Sequence, residues 1–225
     1  MKTTQVTDGI FRLSANVDNI LFESIWPIPN GVSMNSYIVK GTKAAIVDGV
    51  CDWDGVPETL YAQLDEMDLD IKDIDYVIMN HLEPDHSGWF DSFLKLRSDV
   101  TVIASEKGAE LVKYFYGYEG DVRAVKHGDT LDLGDDRVLL FAEIPNVHWP
   151  ETIATYDTKS KTLLPCDAFG SFGSITEKMY DDEMDEQDFA FYEQEAERYY
   201  ANIVGPFSIF VQRAIDKLKD IEIEC

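Results

Sequence analysis

Basic residues are scarce: 19 lysines and arginines stand against 43 aspartates and glutamates, giving a net charge of -24 and a pI near 4.3. Such a chain repels nucleic-acid phosphates and anionic membrane surfaces before contact, which excludes both as partners. The acidity reads either as a solvated, soluble surface or as a field that steers a basic redox partner and turns away anionic substrates. Long apolar runs are also missing. No segment reaches the ~20 apolar residues needed to cross a bilayer, and Met1 to Asn30 holds no basic stretch followed by an apolar block, so a cytoplasmic location is expected. Cysteine is rare. Cys51, Cys166 and Cys225 are far apart, odd in number and without a CxxC pair, which argues against a disulfide framework or a structural zinc knot and leaves reduced thiols. Neither an internal repeat nor a low-complexity linker is found, and the acidic run from Asp181 to Glu186 is the obvious surface excursion.

What is present is enough for a packed interior. With 225 residues, 45% hydrophobic and 12% aromatic, the chain suits a single globular domain spanning residues 1–225. Its first half alternates β-type runs with turns at Ile10–Leu13, Ser36–Val39 and Ala44–Val47, which predicts antiparallel strands. Asp52 or Asp54 can cap a helix from about Val56 to Met67, where Leu60, Leu64 and Met67 share a face. A strand Asp75–Met79, a short helix Trp89–Leu96, a strand Thr101–Ala104 and a helix Glu106–Tyr116 follow. Further strands are expected at Val122–Ala124, Thr130–Leu131, Arg137–Ile144, Thr152–Tyr156 and Thr162–Leu164. From Asp188 the pattern turns helical as far as Val204, breaks at Gly205-Pro206, resumes to Lys219, and leaves Ile221–Ile223 as a possible last strand. Strands followed by helix, twice over, suit an α/β fold of the αββα sandwich type.

The chemistry concentrates at strand ends. The strand Asp75–Met79 runs directly into Asn80 and then His81-Leu82-Glu83-Pro84-Asp85-His86, which crowds four potential ligands into six residues on a loop stiffened by Pro84. Loops at the carboxyl ends of strands are where α/β folds place their sites. The bland alternative is a polar surface turn that happens to hold two histidines. His148 and Asp167 repeat the strand-end placement; alone, each reads as an ordinary loop or turn residue, but together with the first run they read as ligands. His127, before Gly128-Asp129, reads as structural.

In this order and spacing the residues resemble the metallo-β-lactamase superfamily, whose HxHxDH run and later His, Asp and His bind two metals between two sheets. Glu83 stands where its hydrolases have histidine, and the resulting HxExDH pattern resembles the diiron domain of flavodiiron proteins. Anionic oxygen donors suit a harder ion and stabilise its oxidised state, whereas nitrogen-rich sites suit zinc. The resemblance implies two iron ions in an Fe–O–Fe or Fe–OH–Fe centre, with His81, Glu83 and His148 on one, Asp85 and His86 on the other, and Asp167 bridging. The family's last histidine has no counterpart, and Ile221–Ile223 resembles the strand that would deliver it, so the sequence is expected to stop just short of that ligand. If it does not, the second ion should bind weakly. Trp149, Phe169 and Phe172 are candidates for an apolar pocket admitting O2 or NO, or for plain core; Glu151 is a candidate hydrogen-bond acceptor behind the ligands. Tyr180, Tyr192, Tyr199 and Tyr200 either approach the site or cover the sheets.

The resemblance further implies reduction of O2 or NO, fed by FMN in a flavodoxin-like domain of the partner subunit in a homodimer. No phosphate loop with the required βα units follows Val204, so FMN is not expected on this chain and the donor is expected to be an external flavoprotein or rubredoxin-like protein. A ferrous pair supplies two electrons, whereas reducing O2 to water takes four. A non-enzymatic diiron sensor signalling to a protein partner is therefore the alternative, with a dizinc hydrolase behind it.

Overall fold

A computed structural model describes residues 3–18, 20–22, 24–49, 58–174 and 178–225. The chain opens with β1 (Thr4–Thr7) and β2 (Ile10–Val17), a small hairpin of β3 (Leu21–Phe22) and β4 (Trp26–Pro27), then β5 (Val32–Lys40) and β6 (Ala44–Val47). Helix α1 (Glu58–Glu66) leads to β7 (Ile74–Ile78), a single turn α2 (Pro84–Ser87), α3 (Phe90–Leu96), β8 (Thr101–Ser105), α4 (Glu106–Tyr116) and β9 (Val122–Val125). An antiparallel meander follows, β10 (Thr130–Gly134), β11 (Arg137–Glu143), β12 (Ile153–Asp157) and β13 (Thr162–Leu164), and then α5 (Glu186–Tyr199) and α6 (Ser208–Leu218).

The first sheet runs β1-β2-β5-β6-β7-β8-β9 and the second β10-β11-β12-β13. Pairing is antiparallel from β1 to β6 and parallel from β6 to β9, because from there helices carry the chain back over one face. Ile10, Val39, Val47, Ile78 and Ile103 of the first sheet meet Leu133, Leu139, Phe141 and Ile153 of the second. The opposite face of the first sheet, with Leu13, Ile38 and Ile46, packs on Leu60 and Leu64 of α1, Phe90 and Phe93 of α3 and Val112 of α4. The outer face of the second sheet, with Ala142 and Ala154, is covered by Val211, Ala214 and Leu218 of α6. Each fully buried valine, leucine, isoleucine or phenylalanine among them contributes about 1.5–3 kcal/mol. The result is the helix, sheet, sheet, helix layering expected from the sequence, and no described helix is long and apolar enough to cross a membrane.

Several boundaries differ from expectation. The described part of α1 begins at Glu58; its proposed caps Asp52 and Asp54, and Cys51, lie outside the described residues. Met67 falls beyond the helix, in a turn that ends at Asp68 with φ 53°. Ile221–Ile223 does not form a strand; instead the Leu163 amide donates to the Cys225 carbonyl (2.8 Å) and the Glu224 amide to the Lys161 carbonyl (2.9 Å), outside any ladder. Lys161 pairs with Glu222 and Glu224 beside them.

Candidate metal centre

The end of β7 is held from three sides. The Asn80 amide donates to Asp48 Oδ1 (2.8 Å), at the carboxyl end of the neighbouring β6, and the His81 amide reaches the same oxygen (3.4 Å). The Asn80 side chain donates to the Leu164 carbonyl (3.0 Å) and accepts from Thr155 Oγ1 (2.7 Å), tying the loop to the second sheet. His81 is thereby buried where the two sheets meet.

Pro84 does more than stiffen a loop. It starts α2, because its fixed φ suits the first helical position. Ser87 Oγ, buried at the other end of this turn, lies within hydrogen-bonding distance of the Leu82 and Glu83 carbonyls (2.9 and 3.0 Å) and of the Tyr116 hydroxyl (2.6 Å). The His86 carbonyl accepts from the Gly49 amide and from the Trp89 indole, both at 3.0 Å. Only glycine fits at 49, since a Cβ there would lie 1.7 Å from the Trp89 indole nitrogen.

Four side chains converge from three loops. Ligand atoms of His81, Glu83, His148 and Asp167 all lie within 4.8 Å of one another. His81 Nε2 is 3.2 Å from Glu83 Oε2 and 3.5 Å from Asp167 Oδ2, and His148 Nε2 is 2.9 and 3.3 Å from the same two oxygens. Neighbouring donors around an ion with bonds of about 2.1 Å stand about 3.0 Å apart in an octahedron and about 3.4 Å in a tetrahedron, so the spacing fits a single metal ion. On the other side of Asp167, its Oδ1 lies 2.8 Å from His86 Nε2, which is 3.5 Å from Asp85 Oδ2. All six residues singled out in the sequence are thus brought together, while His127 sits exposed and apart.

The carboxylates control the charge of these rings. Burial opposes a charged imidazole at His81, but Glu151, Glu83 and Asp167 outweigh it and raise the ring to about 9. His148 is raised against its burial to about 10 by Asp167 and Glu83. Glu83 is drawn down to about 2, because the hydrogen bonds from His148 and His81 exceed the cost of burial. Asp85 moves the other way, to about 6, pushed up by burial and by Asp167 and Glu83 beyond what His86 offsets. A pocket that retains protons this firmly is negative enough to hold a cation in their place.

Glu151 lies behind His81: its Oε1 accepts from the Leu82 amide (3.0 Å) and lies 2.9 Å from His81 Nδ1. The expected apolar pocket of Trp149, Phe169 and Phe172 forms differently. Trp149 packs edge-on against His81, with ring centroids 5.1 Å apart, and Phe169 is 50% exposed. Phe172 alone of the three lines a cavity of about 810 Å³, with Met34, Tyr199, Asp85, His86 and Asp167 among its other walls. Of the four tyrosines, Tyr199 is the buried one beside the carboxylates, Tyr180 donates to the Val6 carbonyl, and Tyr192 and Tyr200 are substantially exposed.

A family model described as ODP family beta lactamase matches residues 32–225. The chain belongs to that family. Its relatives are flavodiiron proteins. This ODP-family chain is 33% identical to a nitric oxide reductase of Moorella thermoacetica, over 97% of the chain and 53% of that protein. It is also 33% identical to a flavo-diiron protein of Clostridium acetobutylicum, over 100% of the chain and 55% of that protein. Among solved structures it is similar to the rubredoxin oxygen:oxidoreductase of Desulfovibrio gigas, with a TM-score of 0.89 and 27% identity over 99% of the chain and 54% of that structure. The chain therefore spans about half the length of these relatives.

Three residues of the ODP-family site were not singled out from the sequence. Asp48 directly follows the apolar strand Ala44–Val47, the same signal that marks His81, and could have been found by it. Asn80 was named only as the residue before the ligand run. Cys166 was read as a plain thiol, yet its Sγ lies 3.6 Å from His86 Nδ1; nothing in the spacing announces that contact.

Proposed function

We propose that this chain holds two iron ions and reduces O2 or NO with electrons supplied by another protein. On this reading His81, Glu83 and His148 bind one ion, Asp85 and His86 bind the other, and Asp167 joins the two. The observation that carries it is the division of Asp167, which turns Oδ2 toward the Nε2 atoms of His81 and His148 and Oδ1 toward Nε2 of His86. Three imidazoles with three carboxylates fit a harder, redox-active ion better than a nitrogen-rich zinc pocket does. The names of the Moorella and Desulfovibrio proteins support the same chemistry.

When bound, the ion pair supplies electrons to a diatomic substrate. The residues of the chain prepare the place. Glu151 keeps a proton on His81 Nδ1 and so turns the Nε2 lone pair toward the centre. Asp48 and Asn80 fix the loop that carries His81. Phe172 and Tyr199 wall the approach, and the Tyr199 phenol, kept protonated by its burial and by Asp167 and Asp85, holds a proton close to them. The same reading places FMN on another polypeptide segment, makes the electron donor a flavoprotein or rubredoxin-like protein, and pairs the chain as a cytoplasmic homodimer.

Ferrous protein prepared anaerobically and mixed with O2 or NO, with and without a reduced flavoprotein, tests the proposal. Two irons per chain and catalytic consumption are expected. Binding without turnover in the presence of reductant would make it a sensor, and two zinc ions with hydrolase activity would defeat the diiron reading.

A further inference from the structure

The two histidines that face Asp167 from opposite sides are backed by different chemistry. A metal-bound imidazole uses one nitrogen for the ion and commonly donates its other N–H to an outer partner, which sets the ring's orientation and basicity. For His81 that partner is the Glu151 carboxylate, at 2.9 Å from Nδ1, and Glu151 is itself fixed by the Leu82 amide. For His86 it is the Cys166 sulfur, at 3.6 Å from Nδ1. Cys166 and Asp167 thus take hold of one ring at both nitrogens, the first at Nδ1 and the second at Nε2 (2.8 Å).

The backbone is bent to allow this. Cys166 has φ 58°, in the left-handed region that side-chain-bearing residues seldom occupy, and the bend presents two consecutive side chains to the same imidazole. Asp48 stands with His86 and Cys166 in a group whose ligand-type atoms all lie within 4.8 Å, but its Oδ1 already accepts from the backbone amides of Asn80 and His81. Sulfur is a weak hydrogen-bond acceptor, whereas a carboxylate is a strong, charged one.

We infer that Cys166 is the positioning residue of His86, and that its sulfur, a weaker acceptor than the Glu151 carboxylate behind His81, further loosens an ion that already has two donors of its own, Asp85 and His86, against three on the other side. This rests on the two-ion reading above. Outer partners of this kind change metal affinity by about 10- to 100-fold.

Anaerobic calorimetric titration of the full metal-free chain with ferrous iron tests it, using wild type, Cys166→Ala, Cys166→Ser and Glu151→Gln. Wild type is expected to show two resolved affinities. Cys166→Ala should weaken only the lower one, by about 10-fold or more, and Cys166→Ser, which restores an acceptor as oxygen, should recover it. Glu151→Gln should weaken the higher one. Two equal affinities in wild type, an unchanged isotherm in Cys166→Ala, or no recovery in Cys166→Ser would overturn the inference while leaving the two-ion reading intact. A wild-type chain that takes up no iron, or one ion only, would instead defeat the two-ion reading on which it rests.

Discussion

Glu83 is the residue on which the chemical identity of the centre turns. It is one of four donors within 4.8 Å and stands immediately before α2, as the residue that caps its start. Replacing it by histidine leaves the spacing but exchanges an anionic oxygen for a neutral nitrogen. Glu83→His is expected to shift bound metal from iron toward zinc, as read by elemental analysis of protein purified from iron- and zinc-supplemented medium; an unchanged ratio would contradict the argument from donor hardness. Protonation gives a second prediction. His81 near 9 and His148 near 10 both lie above the ordinary 6.5, so the stability they lend the metal-free chain is fully present below about pH 6.5 and is lost as pH rises through 9 to 10. A bound ion must displace those protons, so affinity should climb over the same interval. Melting temperature of the metal-free chain should fall between pH 7 and 10 while metal affinity rises, a crossing that differential scanning calorimetry and chelator competition can follow. Of the six residues gathered here, His81, His148 and Asp167 were legible from their places just beyond strands, and Glu83, Asp85 and His86 from their crowding beside His81. Cys166 was not, since its partner lies 80 positions away and the link depends on a bend that local sequence does not announce.

Among the elements, α2 shows how little structure a ligand pair needs. Four residues, Pro84 to Ser87, are too few to be stable alone, as a helical turn must be nucleated before it gains anything. Ser87 supplies what is lacking by bonding back to Leu82 and Glu83, with Tyr116 of α4 joining from the side. Ser87→Ala is therefore expected to cost about 1–3 kcal/mol in denaturant unfolding, because it strips the buried Leu82 carbonyl of its partner, whereas the Glu83 carbonyl keeps the His86 and Ser87 amides. Tyr116→Phe should cost less, about 1 kcal/mol. A turn this short has no periodicity to detect, which is why it read as a loop. The long elements were legible: Leu60 and Leu64 of α1, or the apolar β6 and β7, repeat at the spacing their burial requires. The expected strand at Ile221–Ile223 failed because alternation alone cannot specify a ladder. The backbone bonds to β13 come two residues later, where the Leu163 amide donates to the Cys225 carbonyl and the Lys161 carbonyl accepts from the Glu224 and Cys225 amides.

For the whole molecule the governing fact is charge. At -24 the folded chain repels itself, and the compact state bears more of that repulsion than the unfolded one. Raising NaCl from ~10 mM to ~500 mM shortens the screening length from about 30 Å to a few Å and should raise the melting temperature of the metal-free chain by several degrees. A flat or falling trend would show that local ion pairs outweigh the net field. Two cations in the centre would relieve part of the same repulsion from within, so the gain from salt should shrink once metal is bound. The layered sandwich itself was readable from the order of strands and helices, whereas the seven-stranded order with its change from antiparallel to parallel at β6 was not.

The cavity beside the centre is one-sided. Asp85, His86 and Asp167 contribute to its walls, while His81, Glu83 and His148 do not. A small molecule entering through this void meets Asp85, His86 and Asp167, whereas Glu83 and His148, which do not line it, keep exposure of their own, 20% and 8% of their side chains. Blocking the void would therefore close one flank of the centre and leave the other in contact with water.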